Sequence, residues 1–264
     1  MACIEKSRKE CEIVNCMEEI AENLGAIFPL KLPKTVNCDN YESMSQLCAK
    51  QIAEVVNEKP DAFICIPAED TAIRIYEILK EMQDLNMVNF QQVRFIALYE
   101  WLDIKNEVQS GMSFLKQYFY APLKIQKEQM ISFETHRNDF QEMCKKTDEV
   151  IVQKGGIDLI LMSIGLKGEI GLNKPGEDFD SYTKVVNGFD EAKLPKRGIT
   201  IGIRHMFEAK NVILYAGHKD QASIISKVYR SRPTEQLPAT VLKLLTGGMV
   251  VLDKDSACQV KDLL

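Results

Sequence analysis

Residues 62–85 decide the fold, and they read AFICIPAEDTAIRIYEILKEMQDL. The first five residues form a short, continuous apolar run, which is typical of a strand that is buried on both faces of a sheet. The loop PAED follows at 67–70, and the residues after it place apolar side chains at helical spacing. A strand, a short loop and a helix in this order make one unit of a parallel α/β sheet.

Similar apolar runs recur along the chain, and helical patterns separate them. The runs are VRFIAL (93–98), IDLILMS (157–163), NVILYA (211–216) and MVVLD (249–253). Strands that are apolar throughout, joined by helical crossovers, predict an α/β fold with a doubly wound, mostly parallel sheet and helices on both faces. We expect this domain to span residues 34–264.

The N-terminal segment, residues 1–33, has a different pattern. CEIVNCMEEIAENLG (11–25) predicts an added helix, and the two prolines of IFPLKLPK (27–34) predict a linker after it. We expect the apolar face of this helix to pack on the domain or on a neighbouring subunit. The next helical pattern, CDNYESMSQLCAKQIAEVV (38–56), has Asp39 and Glu42 at the spacing of a capping box.

Composition excludes several classes of protein. The net charge of −5 is spread along 264 residues, and no basic stripe with interleaved aromatic residues is present, which argues against a nucleic-acid partner. The sequence has neither an apolar run of membrane-spanning length nor the apolar centre of a signal peptide, so we expect a cytoplasmic protein without a membrane partner. The eight cysteines form no CxxC pair, which suits free thiols in a reducing compartment. Cys3, Cys11 and Cys16 lack a nearby fourth ligand, and we expect neither a metal nor a cofactor.

The loops that follow the predicted strands hold the candidate functional residues, because ligands of open α/β sheets bind beyond the carboxyl ends of the strands. These loops are 67–71, 99–103, 165–175 and 217–219. Their candidate residues are Glu69, Asp70, Thr71, Tyr99, Glu100, Gly165, Lys167, Gly168, Glu169, Asn173, Lys174 and Lys219.

Three stretches carry a resemblance to a known family. They are IDLILMSIGLKGEIGLNKPG (157–176), TIGIRHMFEAKNVILYAGHKDQA (200–222) and RPTEQLPATVLKLLTGGMVVLDKDSA (232–257). Together they resemble the glucosamine-6-phosphate deaminase/isomerase family, whose superfamily includes 6-phosphogluconolactonase, over residues 35–258. The resemblance implies a role in amino sugar phosphate metabolism, a sugar or sugar phosphate as the small-molecule partner, and a homo-oligomer.

The resemblance also shows which chemical groups have changed. The family's base is the Asp of Asp-Glu-Tyr, and the matching residue is Tyr99, followed by Glu100. Glu100 is the candidate base left in that loop, although a shift of one residue along a strand turns a side chain to the opposite face. The family's ring-opening His is Glu169 here, the Asp that orients it is Lys167, and the Glu before the proline is Lys174. Gly165, Gly168 and Asn173 keep the frame of that loop.

The family's phosphate loop, Thr-Gly-Gly-Thr-Pro, is replaced by residues 68–72. Glycines at a helix N-terminus expose amide N–H groups to phosphate, whereas Glu69 and Asp70 place two carboxylates there. The alternative interpretation is structural, with Asp70 as the N-cap of a helix that begins at Thr71. Lys219 matches a family lysine that meets the substrate phosphate.

Arg204 and His205 stand where the family tends to have Gly and Thr. With Lys167, Lys174 and Lys219 they would either line a displaced anion pocket or neutralise the new carboxylates. Two ion pairs follow as hypotheses, one between Lys167 and Glu169 and one from Lys219 to Glu69 or Asp70.

Three functional interpretations remain open. The first is a divergent family member in which isomerisation and deamination are weak or lost, with a binding or regulatory role. The second is an active isomerase or lactonase with a rearranged site built from Tyr99, Glu100, Lys167, Glu169 and Lys219. The third is a non-catalytic subunit of an oligomer.

Overall fold

The computed structural model describes residues 32–102, 104, 110–133, 139–188 and 197–264. The compact unit that contains them is Pro33–Leu264. The helix predicted within residues 1–33, its apolar face and the three cysteines at its beginning lie outside the described residues.

Ten strands lie in the described ranges. In chain order they are β1 (Lys34–Asn37), β2 (Phe63–Ile66), β3 (Arg94–Ala97), β4 (Tyr99–Leu102), β5 (Met130–Ile131), β6 (Leu159–Met162), β7 (Lys184–Asn187), β8 (Arg197–Thr200), β9 (Asn211–Ala216) and β10 (Gly248–Leu252). Seven of them form a sheet in the order β1-β10-β9-β6-β2-β3-β5, in which every neighbouring pair is parallel. The other three form an antiparallel sheet in the order β4-β8-β7.

The strand order confirms the doubly wound fold predicted from the apolar runs. From β2 the chain adds β3 and β5 on one side, and from β6 it adds β9 and β10 on the other. The direction therefore reverses between β2 and β6, and this switch point is where such sheets leave a crevice beyond the strand carboxyl ends. Every residue of β2 and of β6 is buried, as the continuous apolar runs predict.

Six α-helices connect or flank the strands in the described ranges. They are α1 (Tyr41–Glu58), α2 (Ile73–Asp84), α3 (Gly111–Leu115), α4 (Phe140–Gln153), α5 (Ile203–Glu208) and α6 (Ala222–Arg230). A π-helical segment, Lys116–Tyr120, continues α3. Three cysteines of this unit, Cys48, Cys65 and Cys144, are buried free thiols, and Cys258 is exposed.

The capping box predicted for Asp39 and Glu42 is wrong, because α1 begins one residue later than that pattern requires. Asn40 is the N-cap: its side-chain oxygen accepts the backbone N–H of Ser43 at 2.9 Å, and the Ser43 hydroxyl accepts the N–H of Asn40 at 3.2 Å. Glu42 instead accepts a hydrogen bond from Arg74 of α2 at 2.7 Å and so ties two helices together.

A buried carboxylate organises the amino edge of the large sheet. Asp158 precedes β6 and accepts hydrogen bonds from the ammonium groups of Lys59 at 2.7 Å and Lys210 at 2.8 Å, and from the backbone N–H of Phe63 at 2.8 Å. Burial alone would raise the pKa of Asp158, but the hydrogen bonds from Lys210, Lys59 and Phe63 outweigh it and hold the pKa below its usual value. The ionised form therefore stabilises the start of β2, β6 and β9.

We expect Asp158→Asn to lower the free energy of unfolding by about 2 kcal/mol at neutral pH, because a buried acceptor of charged donors is lost. A carboxyl group whose pKa is lowered in the folded state contributes stability above its unfolded pKa, and that contribution disappears as the pH falls through the folded pKa. The deficit of the variant should accordingly shrink below about pH 4. Urea denaturation at several pH values measures it, with Asp255→Asn at an exposed position as the control. Equal stability of the two variants at neutral pH would contradict this role.

Candidate active site

The loop after β2 lies at the switch point, and tyrosine side chains from three elements hold its backbone. The Tyr76 phenol donates to the carbonyl of Pro67 at 2.5 Å, and the Tyr99 phenol donates to the carbonyl of Ala68 at 3.2 Å. From α1, the Tyr41 phenol donates to the carbonyl of Thr71 at 2.6 Å. The loop is thus fixed along its length.

A fourth tyrosine binds the carboxylate that this loop carries. The phenol of Tyr215, on β9, donates to Oε1 of Glu69 at 2.5 Å. The hydroxyl of Thr71 donates to the same oxygen at 3.1 Å and lies 3.2 Å from the Tyr215 oxygen. We call the four residues Tyr41, Tyr76, Tyr99 and Tyr215 the tyrosine cluster. The Glu69 carboxylate is therefore fixed within the loop as a hydrogen-bond acceptor.

The phenols of the tyrosine cluster are donors at neutral pH. Burial, and next the negative charge of Glu69, raise the pKa of Tyr76, Tyr99 and Tyr215 well above the usual value. A phenol that keeps its proton cannot remove one from a substrate carbon. Tyr99, at the position that the resemblance assigns to the base, is therefore no substitute for a carboxylate.

The interpretation of Asp70 as an N-cap is wrong. A single 3₁₀ turn, Asp70–Ala72, follows the loop, and Glu69 stands at its cap position without a side-chain cap hydrogen bond. Helix α2 begins at Ile73, two residues later than predicted, and also lacks a side-chain cap. Asp70 lies inside the 3₁₀ turn and not at its cap, and the Glu69 carboxylate at the cap position binds Tyr215 and Thr71. Asp70 is exposed.

Glu100 is buried in the protein, with 4% of its surface exposed. Its carboxylate accepts three backbone N–H groups, from Gly111 and Trp101 on Oε1 at 2.7 and 2.8 Å and from Met112 on Oε2 at 2.7 Å. Burial raises the pKa of Glu100, and these backbone hydrogen bonds oppose the rise in part. The side chain fastens the first turn of α3 to β4, which is a structural role.

The glycine loop after β6 closes on itself. The N–H of Gly165 donates to the carbonyl of Glu169 at 2.9 Å, and Oε2 of Glu169 accepts the backbone N–H of Lys167 at 2.8 Å. The hypothesis of a Lys167–Glu169 ion pair is wrong, since the carboxylate binds the backbone of Lys167. A Cβ atom at Gly165 would lie 2.5 Å from Oε2 of Glu169, so a larger residue there would displace this carboxylate. Gly168 has φ +87°, where glycine is favoured.

Asn173 and Lys174 support the end of this loop. The Asn173 side chain is fully buried, and its Nδ2 donates to the carbonyls of Ile170 and Ile201 at 3.0 Å each. The ammonium of Lys174 donates to the carbonyl of Asn187 at the end of β7. Both residues connect the loop to the smaller sheet.

Lys219 lies at the carboxyl end of β9 as predicted, but it does not pair with the new carboxylates. It is exposed in the first position of the 3₁₀ turn Lys219–Gln221, and within the described ranges it forms no ion pair with Glu69 or Asp70. The segment after β9 is held by Gln221, whose amide donates to the carbonyl of Ile164, after β6, at 2.9 Å. The expected Lys219 pair is therefore absent from the described contacts, and the hydroxyl groups of Tyr215 and Thr71 bind Glu69 instead.

Arg204 and His205 contact a different part of the molecule. Arg204 donates to Asp180 at 3.0 Å and to Glu208 at 2.9 Å, and the buried His205 ring lies 2.7 Å from Asp148 of α4. Helix α5 directs these side chains onto α4 and residues 180–183. The described contacts of Arg204 and His205 therefore do not join them to the loop 67–71 or to Lys219.

Three members of the tyrosine cluster were missed by sequence reasoning. Tyr215 lies within an apolar strand run and Tyr76 within an amphipathic helix pattern, so both resemble ordinary core aromatic residues. Tyr41 lies beyond the strand-end loops altogether. The one signal in the sequence was Glu69, a carboxylate placed shortly after the buried strand β2. A half-buried carboxylate needs hydrogen-bond donors, which other elements must supply.

Comparison with known proteins identifies the family to which this chain belongs. The family model described as glucosamine-6-phosphate isomerases/6-phosphogluconolactonase matches residues 39–251. The chain belongs to this family.

Individual relatives are similar over most of their length. The glucosamine-6-phosphate deaminase of Thermoanaerobacter pseudethanolicus is 29% identical over 242 residues, which cover 87% of this chain and 96% of the relative. The solved structure of a monomeric glucosamine-6-phosphate deaminase superimposes with a TM-score of 0.81 at 25% identity, over 86% of this chain and 99% of that one. The 6-phosphogluconolactonase of Trypanosoma brucei has a TM-score of 0.73 at 14% identity, over 87% and 99% of the two chains, and shares the fold.

Two further features bear on what the protein can bind. In the described part of the chain, His, Cys, Asp and Glu form no group of three or more that could hold a metal ion. Every helix in the described ranges is too short or too polar to cross a lipid bilayer.

We expect the Tyr215–Glu69 hydrogen bond to contribute measurably to stability. A double-mutant cycle with Tyr215→Phe and Glu69→Ala should give a coupling energy of about 1.5 kcal/mol, since a hydrogen bond to a charged acceptor is lost in each single variant. Urea denaturation of the four proteins measures this energy. Tyr118→Phe, at a ring that stacks on Phe114, is the matched control and should not couple to Glu69. Additive effects of Tyr215→Phe and Glu69→Ala would contradict the interaction.

Proposed function

We propose that this family member binds a small sugar-like molecule at the carboxyl edge of its sheet and has weak or no glucosamine-6-phosphate isomerase/deaminase activity. The placement of Glu69 is the observation that carries this proposal. The carboxylate lies in the loop where the family resemblance puts a phosphate-binding backbone. In this reading the protein acts in amino sugar metabolism by binding or regulation.

Electrostatics supports the loss of phosphate binding. Two like charges about 4 Å apart repel by roughly 4 kcal/mol at an effective dielectric constant of about 20. Glu69 is half-buried and fixed by the Tyr215 and Thr71 hydroxyls, so it cannot move away without breaking these hydrogen bonds. Asp70 adds a second negative charge next to it. A sugar phosphate would meet this repulsion, with Lys219, at the position of the family's phosphate-binding lysine, as a compensating cation.

The acid–base groups support the same conclusion. Isomerisation between C1 and C2 needs an ionised, accessible base and a group that opens the sugar ring. Tyr99 keeps its proton, and Glu100 is buried with three N–H donors. Glu169, at the position of the ring-opening histidine, binds the backbone of its own loop. Each group is engaged in holding the structure.

An active isomerase or lactonase with a rearranged site is the second candidate function. The observation in its favour is that the described hydrogen bonds of Glu69 all reach Oε1, and Oε2 receives no donor from the described residues. A carboxylate oxygen of this kind is able to accept a proton from a ligand. The third interpretation, a non-catalytic subunit of an oligomer, depends on assembly and is compatible with the first.

We expect the purified protein to release no ammonia from glucosamine 6-phosphate above background, because base, ring-opening group and phosphate loop are each replaced. Loss of one acid–base or positioning group alone typically lowers the rate a hundredfold or more. Coupled ammonia detection measures the rate, with the Thermoanaerobacter deaminase as the positive control. A turnover of about one per second would overturn the proposal. Hydrolysis of 6-phosphogluconolactone in a parallel assay would favour the second candidate.

We also expect removal of the two loop carboxylates to create phosphate affinity. In Glu69→Gly/Asp70→Gly the backbone N–H groups before α2 are exposed, and Lys219 gains an anion to bind. Calorimetric titration with inorganic phosphate should detect binding to the double variant and none to the parent. Glu77→Gly/Glu81→Gly, which removes two exposed carboxylates farther along α2, is the control for net charge. Failure of a well-folded Glu69→Gly/Asp70→Gly protein to bind phosphate would contradict the proposed block.

A further inference from the structure

A cavity lies at the amino edge of the large sheet, away from the switch point between β2 and β6. Residues 86–91 precede β3, and residues 123–129 precede β5. These strands are parallel neighbours, so both loops meet at their amino ends. The cavity between the two loops has a volume of about 590 Å³, within the usual range for small-molecule sites.

Carboxamide side chains dominate the lining of this cavity. They are Gln83, Asn86, Asn89, Gln91, Gln126 and Gln129. Lys124 is the one charged residue among the described lining residues, which also include Val88, Phe90, Leu123 and Ile125. A carboxamide both donates and accepts hydrogen bonds, as a hydroxyl group does. The amide-lined cavity, as we call it, is therefore polar with little charge.

The wall of the amide-lined cavity is fixed by its most buried amide. Nε2 of Gln129 donates to the carbonyls of Phe90 and Val93 at 2.6 and 2.7 Å, and its Oε1 accepts the N–H of Gln126 at 2.9 Å. Only 8% of the Gln129 surface is exposed. The two loops are thus joined before any ligand arrives, and the site is largely preformed.

Several polar groups of the lining remain without a protein partner. Oε1 of Gln83 is buried and accepts no hydrogen bond, although Nε2 of the same amide donates to the carbonyl of Leu123 at 3.3 Å. The exposed side chains of Asn86 and Gln91 form no hydrogen bond with any described residue. The Gln83 oxygen is too buried for a ligand in the cavity to reach it, so the exposed amides of Asn86 and Gln91 are the groups available to a ligand.

We propose that the amide-lined cavity binds a neutral polyhydroxylated small molecule, such as a sugar ring. Hydroxyl groups would donate to and accept from the exposed amides of Asn86 and Gln91. A cationic ligand would lose its hydration without gaining a carboxylate partner, because the described lining contains no Asp or Glu. An anionic ligand would have Lys124 as its one charged partner in that lining. The cost of desolvation therefore disfavours both kinds of ligand. An adjoining cavity of about 170 Å³ shares Asn89 and Gln91, and gives room for a substituent on the ring.

Calorimetric titration with N-acetylglucosamine and glucose tests the proposal, with glucosamine and glucose 6-phosphate as the cationic and anionic counterparts. We expect the neutral sugars to bind more tightly than the charged ones. Asn86→Gly, which suits the left-handed backbone at this position (φ 56°), should weaken neutral-sugar binding about tenfold through loss of the amide's hydrogen bonds. Gln91→Trp, at an exposed position of the rim, should block the cavity without disturbing the core. Gln46→Ala, an exposed amide on α1 that binds Glu42, is the matched control and should leave the affinity unchanged.

Absence of neutral-sugar binding to the parent, or equal affinity for the charged sugars, would overturn the proposal. So would an affinity that survives both Asn86→Gly and Gln91→Trp. Glu69→Ala separates the two sites: if it abolishes the binding while the cavity variants do not, the sugar occupies the switch-point crevice instead.

Discussion

The hydrogen bond from the Tyr215 phenol to the Glu69 carboxylate is the contact on which the site at the carboxyl edge depends. It joins β9 to the loop after β2 across the switch point, where the two halves of the sheet diverge. A carboxylate in a half-buried loop requires donors, and Tyr215 and Thr71 supply them. This contact, together with the hydrogen bonds from Tyr41, Tyr76 and Tyr99 to the loop backbone, fixes the loop conformation.

Glycine and asparagine residues set the backbone frame of the loop after β6. Gly165 and Gly168 permit a tight loop, and Asn173 binds two carbonyl groups through its amide. Within the same frame Glu169 and Glu100 accept backbone N–H groups, so both carboxylates hold structure. A fold constrains the backbone, whereas the chemistry depends on a few side chains. The family match and the proposed loss of activity are therefore compatible.

The fold was predictable because its signal is local. A strand buried on both faces must be apolar throughout, and such runs predict β2, β6, β9 and β10 from the sequence alone. The position of the candidate site stays a prediction from the topology, and the described contacts join the loop after β2 to Tyr99 and Tyr215. The pairing of its residues could not be predicted, because hydrogen bonds between residues as distant in sequence as Glu69 and Tyr215 leave no periodic pattern. Lysine was expected to neutralise the loop carboxylates, whereas a tyrosine that resembles a core residue donates a hydrogen bond to Glu69 and leaves its charge in place.

The most direct test is a crystal structure determined at a saturating concentration of glucosamine 6-phosphate. Our account predicts that residues 67–71 keep their conformation, with the Tyr215 phenol still bound to Glu69 and no phosphate at the start of α2 beside Lys219. A phosphate group bound to the backbone N–H groups of this loop, with the Glu69 carboxylate turned away from Tyr215, would contradict it.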